Sequence, residues 1–129
     1  MVQFTPGEWE IMRILWKHGA LKPAELQELY PRPIKNAAMR AALRVLVEKG
    51  HVIRRKKGKA YYYEAKTPEQ SALKNMVQRL KEVFYGGSSA ALISHLMETE
   101  KLSPEDIKEL RRVARKRLED QSIKGRENS

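Results

Sequence analysis

The chain has 129 residues, is 41% hydrophobic and carries a net charge of +10 at neutral pH, which suits one domain or a small pair with a wide polar surface. No apolar run approaches the ~18 residues that a membrane helix needs, and the N-terminus lacks the basic-then-apolar pattern of a signal peptide. With no cysteine present, disulfides, thiolate metal sites and a cysteine nucleophile are excluded, as fits a reducing, cytoplasmic setting.

The first segment, TPGEWEIMRILWKHG, predicts a helix. Thr5 caps it, Pro6 suits the first helical position, and Glu8 completes a capping box. Trp9, Met12, Leu15 and Trp16 form an apolar stripe that Ile11 and Ile14 widen. The tryptophans are read as core rather than as ligand stackers, and Gly19 supplies the stop. KPAELQELYPRP predicts a short second helix from Pro23 to about Tyr30, with Ala24, Leu26 and Leu29 on its apolar side. Pro31 and Pro33 end it, because proline lacks an amide proton and restricts the residue before it.

Asn36 is the expected cap of a third helix that runs to Gly50. On a helical wheel Met39, Ala42, Leu43 and Leu46 share one side, and Asn36, Ala37, Arg40, Ala41 and Arg44 share the other. In HVIRRKKGKAYYYEA, Val52, Ile53 and Tyr61 to Tyr63 favour extended structure. Gly58 with its flanking lysines makes the turn of a hairpin. Alternation places Tyr61 and Tyr63 on one face and Tyr62 on the other. Nine Lys or Arg lie between Lys35 and Lys59, against one acid, Glu48.

The composition changes at Thr67. TPEQ reads as a second capping box, and Leu73, Met76, Val77, Leu80 and Phe84 recur at helical spacing. Gly86 and Gly87 break that helix. A shorter one, Ser89 to about Lys101, carries Leu92, Ile93, Leu96 and Met97. SPED is a third capping box, opening a helix with Ile107, Leu110, Val113, Ala114 and Leu118. From Gln121 the tail is polar and is expected to fray. The predicted organisation is a DNA-binding domain over residues 1–66, a helical dimerisation segment over 67–121 and a polar tail over 122–129. Charge divides with it: residues 1–66 hold 14 Lys/Arg and 6 Asp/Glu, a balance of +8, and the remainder only +2. A segment of about 55 residues is small for an independent core. Its stripes are therefore expected to be buried against a second copy, the alternative being packing onto the first domain.

The expected fold is mainly α with a small β-hairpin. Helix, helix, turn, helix, basic hairpin is the order of a winged helix-turn-helix, whose third helix enters the DNA major groove. Lys35 and Asn36 stand at the start of that helix. Arg40 could donate twice to guanine O6 and N7, Ala37 and Ala41 could touch thymine methyls, and Arg44 could meet either phosphate or base. Arg54, Arg55, Lys56, Lys57 and Lys59 on the wing would follow the backbone or enter a minor groove. The tyrosines are read as packing residues rather than as stacking platforms for single strands. The alternative is an RNA-binding or protein-docking winged helix without operator specificity.

Three stretches resemble the penicillinase repressors, the family of the β-lactamase and methicillin-resistance repressors and their copper-responsive relatives. They are FTPGEWEIMRILW, MRAALRVLVEKGHVIRRKKGKAYYYEA and FYGGSSAALISHLMETEKLSPEDIKELR, and the likeness spans residues 4 to about 113. It implies a homodimeric repressor on a palindromic double-stranded operator, dimerised through Leu73, Met76, Val77, Leu80, Phe84, Leu92, Leu96, Ile107, Leu110 and Val113. In the antibiotic-responsive members a membrane metalloprotease sensor signals cleavage of the repressor. The cut Asn–Phe bond corresponds here to His95 and Leu96, and their Lys-Thr pair early in the recognition helix to Ala37 and Ala38. The cysteine pairs that bind metal in the copper-responsive relatives have no counterpart. Catalysis finds little support. His18, His51 and His95 fall in different elements without acidic partners at metal-ligand spacing, and there is no phosphate loop or nucleophile elbow. No cofactor, metal or direct membrane binding is expected.

Overall fold

The computed structural model describes residues 4–127. Its elements are α1 (Pro6–His18), α2 (Pro23–Leu29), α3 (Asn36–Glu48), β1 (Val52–Lys57), β2 (Ala60–Ala65), α4 (Glu69–Phe84), α5 (Ser89–Thr99) and α6 (Pro104–Glu127). The predicted mainly helical architecture with a hairpin wing is what the chain adopts.

The chain divides into two compact units between Val83 and Phe84, rather than after Lys66. The first turn of α4 is bound into the first unit. Ala72 is fully buried, the Trp16 indole N–H donates to the Thr67 carbonyl at 2.9 Å, and the Thr67 hydroxyl meets His51 Nδ1 at 2.8 Å. Composition marks the change at Thr67, but these links cross it.

The core of the first unit follows from the predicted stripes. Ile11, Met12 and Leu15 of α1, Leu26 of α2, and Met39, Leu43 and Leu46 of α3 meet Val52 and Tyr63 of the hairpin, all buried. Burying a side chain of this size contributes about 1.5–3 kcal/mol, so this cluster holds the three helices and the hairpin together. The two strands pair antiparallel from Val52↔Ala65 to Lys57↔Ala60. Gly58 takes φ 65° in the turn, a conformation that L side chains with a Cβ rarely adopt. Leu21 adds a bridge to β2, exchanging backbone hydrogen bonds with Tyr63 at 3.0 and 2.8 Å. It gives the hairpin a third, one-residue strand that composition does not announce.

One charged side chain is buried among the described residues, Glu8, at 6% exposure. It closes the expected capping box: Glu8 N–H donates to the Thr5 hydroxyl at 3.2 Å and Thr5 N–H to Glu8 Oε1 at 2.9 Å. It also accepts two 3.0 Å bonds from the Lys49 ammonium. Lys49 is the C-cap of α3, so the pair ties the start of α1 to the end of α3. Burial pushes the Glu8 carboxyl up, but the bonds from Thr5 and Lys49 outweigh it and hold the group below its usual range.

Three expectations are corrected at element ends. Asn36 does not cap α3; the N-cap is Lys35, without a side-chain bond, and the Asn36 amide is engaged by Gln27 and Arg40. The Thr67 hydroxyl turns to His51 instead of closing a box, and α4 begins at Glu69. The polar tail does not fray at Gln121: α6 continues to Glu127, and residues 128–129 lie outside the described residues. Long polar side chains such as Lys116, Arg117, Glu119 and Gln121 are good helix formers, and a helix needs no apolar stripe to continue once nucleated.

Replacing Glu8 with Gln should cost on the order of 1–3 kcal/mol at pH 7, because Lys49 loses its charged partner beside a buried amide. A carboxyl held below its usual range stabilises the fold above its unfolded-state pKa of about 4.3, and that gain is lost as pH falls through the folded value. Thermal melts of the two proteins should therefore converge between pH 7 and pH 3. A gap that persists unchanged would show that the carboxylate charge is not what holds α3.

Candidate nucleic-acid interface

Burial of Met39, Leu43 and Leu46 fixes the rotation of α3 about its axis. Lys35, Ala37, Arg40, Ala41 and Arg44 are thereby exposed, with Asn36 half-buried at the edge. The five basic residues predicted on the wing, Arg54, Arg55, Lys56, Lys57 and Lys59, are exposed as well.

The hairpin sorts its cations by strand alternation. The Arg54 guanidinium lies 4.5 Å and the Lys56 ammonium 5.8 Å from the centre of the Tyr61 ring. The ring attracts cations and restrains both side chains. Arg55 points to the other face and pairs with Glu64 at 2.8 Å. A groove of about 350 Å³ runs between α3 and the hairpin, lined by Arg40, Arg44, Val47, Glu48, Arg54 and Tyr63. Three of the predicted arginines are thus brought together, while Arg55 is not among them. Lys56, Lys57 and Lys59 are not among the residues that line it.

Arg40 is held by a chain of amides. Gln27 Nε2 donates to the Ile34 carbonyl at 2.8 Å. That fixes the Gln27 oxygen toward Asn36 Nδ2, which donates to it at 3.3 Å. The Asn36 oxygen then accepts from Arg40 Nε at 2.7 Å. A carbonyl that can only accept stands at one end and a guanidinium that can only donate at the other, so the direction of each amide is determined. Only Nε of Arg40 is used, which leaves its two terminal nitrogens for a ligand. Gln27 was missed in the sequence, since no periodicity marks a residue that works by reaching α3 from α2.

The expected dimerisation residues are mostly open to solvent. Leu73, Met76, Val77 and Leu80 are exposed along α4, and Phe84 at its end is 73% exposed. In the second unit Leu96, Leu110 and Val113 are exposed and Leu92 and Ile107 half-buried. An apolar groove of about 430 Å³ lies between α5 and α6, lined by Ile93, Met97, Ile107, Leu110, Val113 and Ala114 with Arg111 and Arg117 at its rim. His95 and Leu96 lie within α5, and His95 Nδ1 is hydrogen-bonded to the Tyr85 hydroxyl. Among the described residues no group of His, Asp and Glu could hold a metal ion, and no helix is long and apolar enough to cross a membrane.

A buried helical core that presents an arginine-bearing helix beside a basic hairpin defines a winged-helix DNA-binding regulator. The chain belongs to the penicillinase repressor family, which it matches over residues 4–116, and is a DNA-binding repressor rather than an enzyme. Two relatives and one solved structure show the extent of the likeness. The chain is 30% identical to the uncharacterized 16.5 kDa protein in the ptsI 3' region of Latilactobacillus sakei, over 86% of this chain and 77% of that one. It is 25% identical to the penicillinase repressor of Bacillus licheniformis, over 86% and 88%. A MarR family protein from Bacillus stearothermophilus superposes with a TM-score of 0.50 at 16% identity, covering 94% of this chain and 77% of that chain, and supports the fold alone.

Removing the middle of the amide chain should loosen Arg40. In Asn36→Ala the Arg40 Nε–H loses its acceptor, and its exchange with water, followed by NMR, should become several-fold faster with the fold unchanged. Equal rates in wild type and variant would show that Asn36 does not hold the guanidinium.

Proposed function

We propose that the protein acts as a homodimeric repressor that grips a palindromic operator, with α3 in the major groove and the hairpin along the backbone. The observation that carries this reading is the groove that gathers Arg40, Arg44 and Arg54. Arg40 is pre-aimed by Asn36, and its free terminal nitrogens have the geometry for two bonds to guanine. Ala37 and Ala41 leave room for close approach, and Lys35 and Asn36 sit where the helix would enter. Arg54 and the lysines 56, 57 and 59 supply sequence-independent attraction, since each phosphate neutralised releases counterions. Arg55, neutralised by Glu64, contributes least.

The open apolar stripes support the dimer. Leu73, Met76, Val77, Leu80 and Phe84 on α4, and Leu96, Leu110 and Val113 on α5 and α6 with Leu92 and Ile107 half-buried beside them, are too many large side chains to leave in water on a monomer. A second copy would cover them and set two copies of α3 on half-sites one helical turn or a multiple apart. The repressor of Bacillus licheniformis bears its function in its name, which agrees with this reading. Release would follow from a cut at His95–Leu96, made under the control of a membrane metalloprotease sensor, which would part α6 from the DNA-binding unit. That bond lies inside α5, so local opening must precede cleavage.

Arg40→Ala should change sequence choice more than general attraction. A bidentate base contact discriminates by ~1–3 kcal/mol, and the variant should lose that much on an operator fragment and little on random duplex. Equal losses on both, in paired titrations, would place Arg40 on the backbone. Leu110→Asp would put an unpaired charge into the dimer contact. By sedimentation it should run as a monomer with the first unit folded, and lose most affinity for a full palindrome because the second half-site is no longer tethered. A wild type that sediments as a monomer at micromolar concentration, yet binds one half-site unimpaired, would contradict the dimer.

A further inference from the structure

The second unit carries a basic surface that the reading above leaves unused. Between Lys108 and Arg117 six of ten residues are Lys or Arg, and one, Glu109, is acidic. Lys108, Arg111, Arg112, Arg115 and Lys116 recur at i, i+3, i+4, i+7 and i+8, which places them in one stripe along α6. All five are exposed, and with Glu119 they border a single open depression of about 550 Å³. Arg112 is paired with Glu109, at 2.6 and 2.9 Å. Lys108, Arg111, Arg115 and Lys116 have no hydrogen bond or ion pair among the described residues.

A merely solvated helix face alternates its charges, so that partners at i, i+4 attract. Here Arg111 and Arg115 are like charges at that spacing, and Lys108 and Lys116 each stand four residues from Arg112, whose charge Glu109 offsets; opposite charges at that spacing, Glu119 and Asp120, occur only at the far end of the stripe. Four of the five cations fall in the first half of α6, and Lys108, just past its first turn, is the one nearest the positive end, where the helix dipole disfavours a cation. The stripe points away from the apolar side and meets it only at Arg111, on the rim of the α5–α6 groove. At 100° per residue its centre lies about 140° around α6 from that of Ile107, Leu110 and Ala114, which face Ile93 and Met97 across the α5–α6 groove.

We propose that this stripe is a second, sequence-independent binding surface for the phosphates of duplex DNA. The inference rests on the reading of the chain as a DNA-binding repressor. From Lys108 to Lys116 the stripe runs about 12 Å at 1.5 Å per residue. One strand presents a phosphate every ~3.4 Å of duplex axis, so the stripe spans three to four phosphates, matching its four unpaired cations. Once the first unit is on a duplex, neighbouring DNA is held near α6 at high effective concentration. The stripe would then add affinity through flanking or looped duplex without adding sequence choice.

The test uses the full chain with Lys108, Arg111, Arg115 and Lys116 all replaced by Gln. Arg112 is kept because Glu109 already neutralises it. Affinity for a random duplex of about 60 base pairs is measured from 50 to 300 mM salt. The salt slope should flatten by roughly three units, at about 0.9 per phosphate contact. At moderate salt affinity should fall at least tenfold, equally on random duplex and on a retained genomic fragment. A charge-preserving variant, K108R/R111K/R115K/K116R, should keep the wild-type slope. An unchanged slope in the Gln variant overturns the proposal, as does loss of slope in the charge-preserving one, which would mark damage to α6. Binding of wild type to phosphatidylserine vesicles that the Gln variant loses, with its DNA slope intact, would assign the stripe to a membrane surface and overturn the proposal too. Operator discrimination is read separately: a wild type that does not discriminate defeats the operator reading and leaves the slope comparison valid.

Discussion

The Glu8 carboxylate, buried at the start of α1 and doubly bonded to the Lys49 ammonium, is the constraint on which the presentation of α3 depends. Apolar packing of Met39, Leu43 and Leu46 sets how α3 is rotated, but oily contacts are non-directional and tolerate sliding. An ion pair fixed to the capping box of another helix does not. It sets where α3 ends, and through the rigid helix where Arg40 and Arg44 stand. The pair is stable because the carboxylate accepts from both Thr5 and Lys49, which offsets the cost of removing it from water. At the opposite end of α3 the Gln27–Asn36–Arg40 chain does the same for one side chain. The helix is thus held at both ends, by polar contacts of defined geometry.

Pairing separates structural cations from those left for a ligand. Lys49 is taken by Glu8, Arg32 by Glu10, Arg55 by Glu64 and Arg112 by Glu109. Arg44, Lys57 and Lys59 have no such partner among the described residues, and Arg54 and Lys56 have only the Tyr61 ring. An acid beside a phosphate-binding cation would compete with the phosphate, so acids are kept from this face except Glu48 at the rim of the groove. Glu48 narrows what can enter there, since it repels phosphate and can accept only from a base edge. The second unit shows the complementary economy of apolar surface. It has few shielded side chains, and its remaining large residues have no cover within the unit.

Much of this was legible in the sequence because its causes are local. Thr5 with Glu8, and Ser103 with Asp106, act within one turn, so residue order alone identifies them. The outward face of α3 follows from a period of 3.6 residues and needs no knowledge of the neighbours. What the sequence hid acts over longer separations. Leu21 bridges Tyr63, Trp16 and His51 both reach Thr67, and Gln27 reaches Asn36. Asn36 and Thr67 each have the chemistry of a cap, but their polar atoms are claimed elsewhere: the Thr67 hydroxyl by His51, the Asn36 Nδ2 by Gln27 of α2, and the Asn36 oxygen by Arg40 one turn along α3. Arg55 is a different case. Its place in a basic run suggested a DNA contact, while a diagonal cross-strand partner, Glu64, gives it a neighbour that composition counts but does not locate.

Footprinting on genomic fragments that the purified wild-type protein retains at moderate salt tests the central claim most directly. A homodimer with two copies of α3 held rigidly predicts protection with twofold symmetry, its half-sites centred one helical turn or a multiple apart, and the strongest base-specific contacts at guanines in the major groove. Protection without a dyad, or spread evenly along any duplex, would contradict the account.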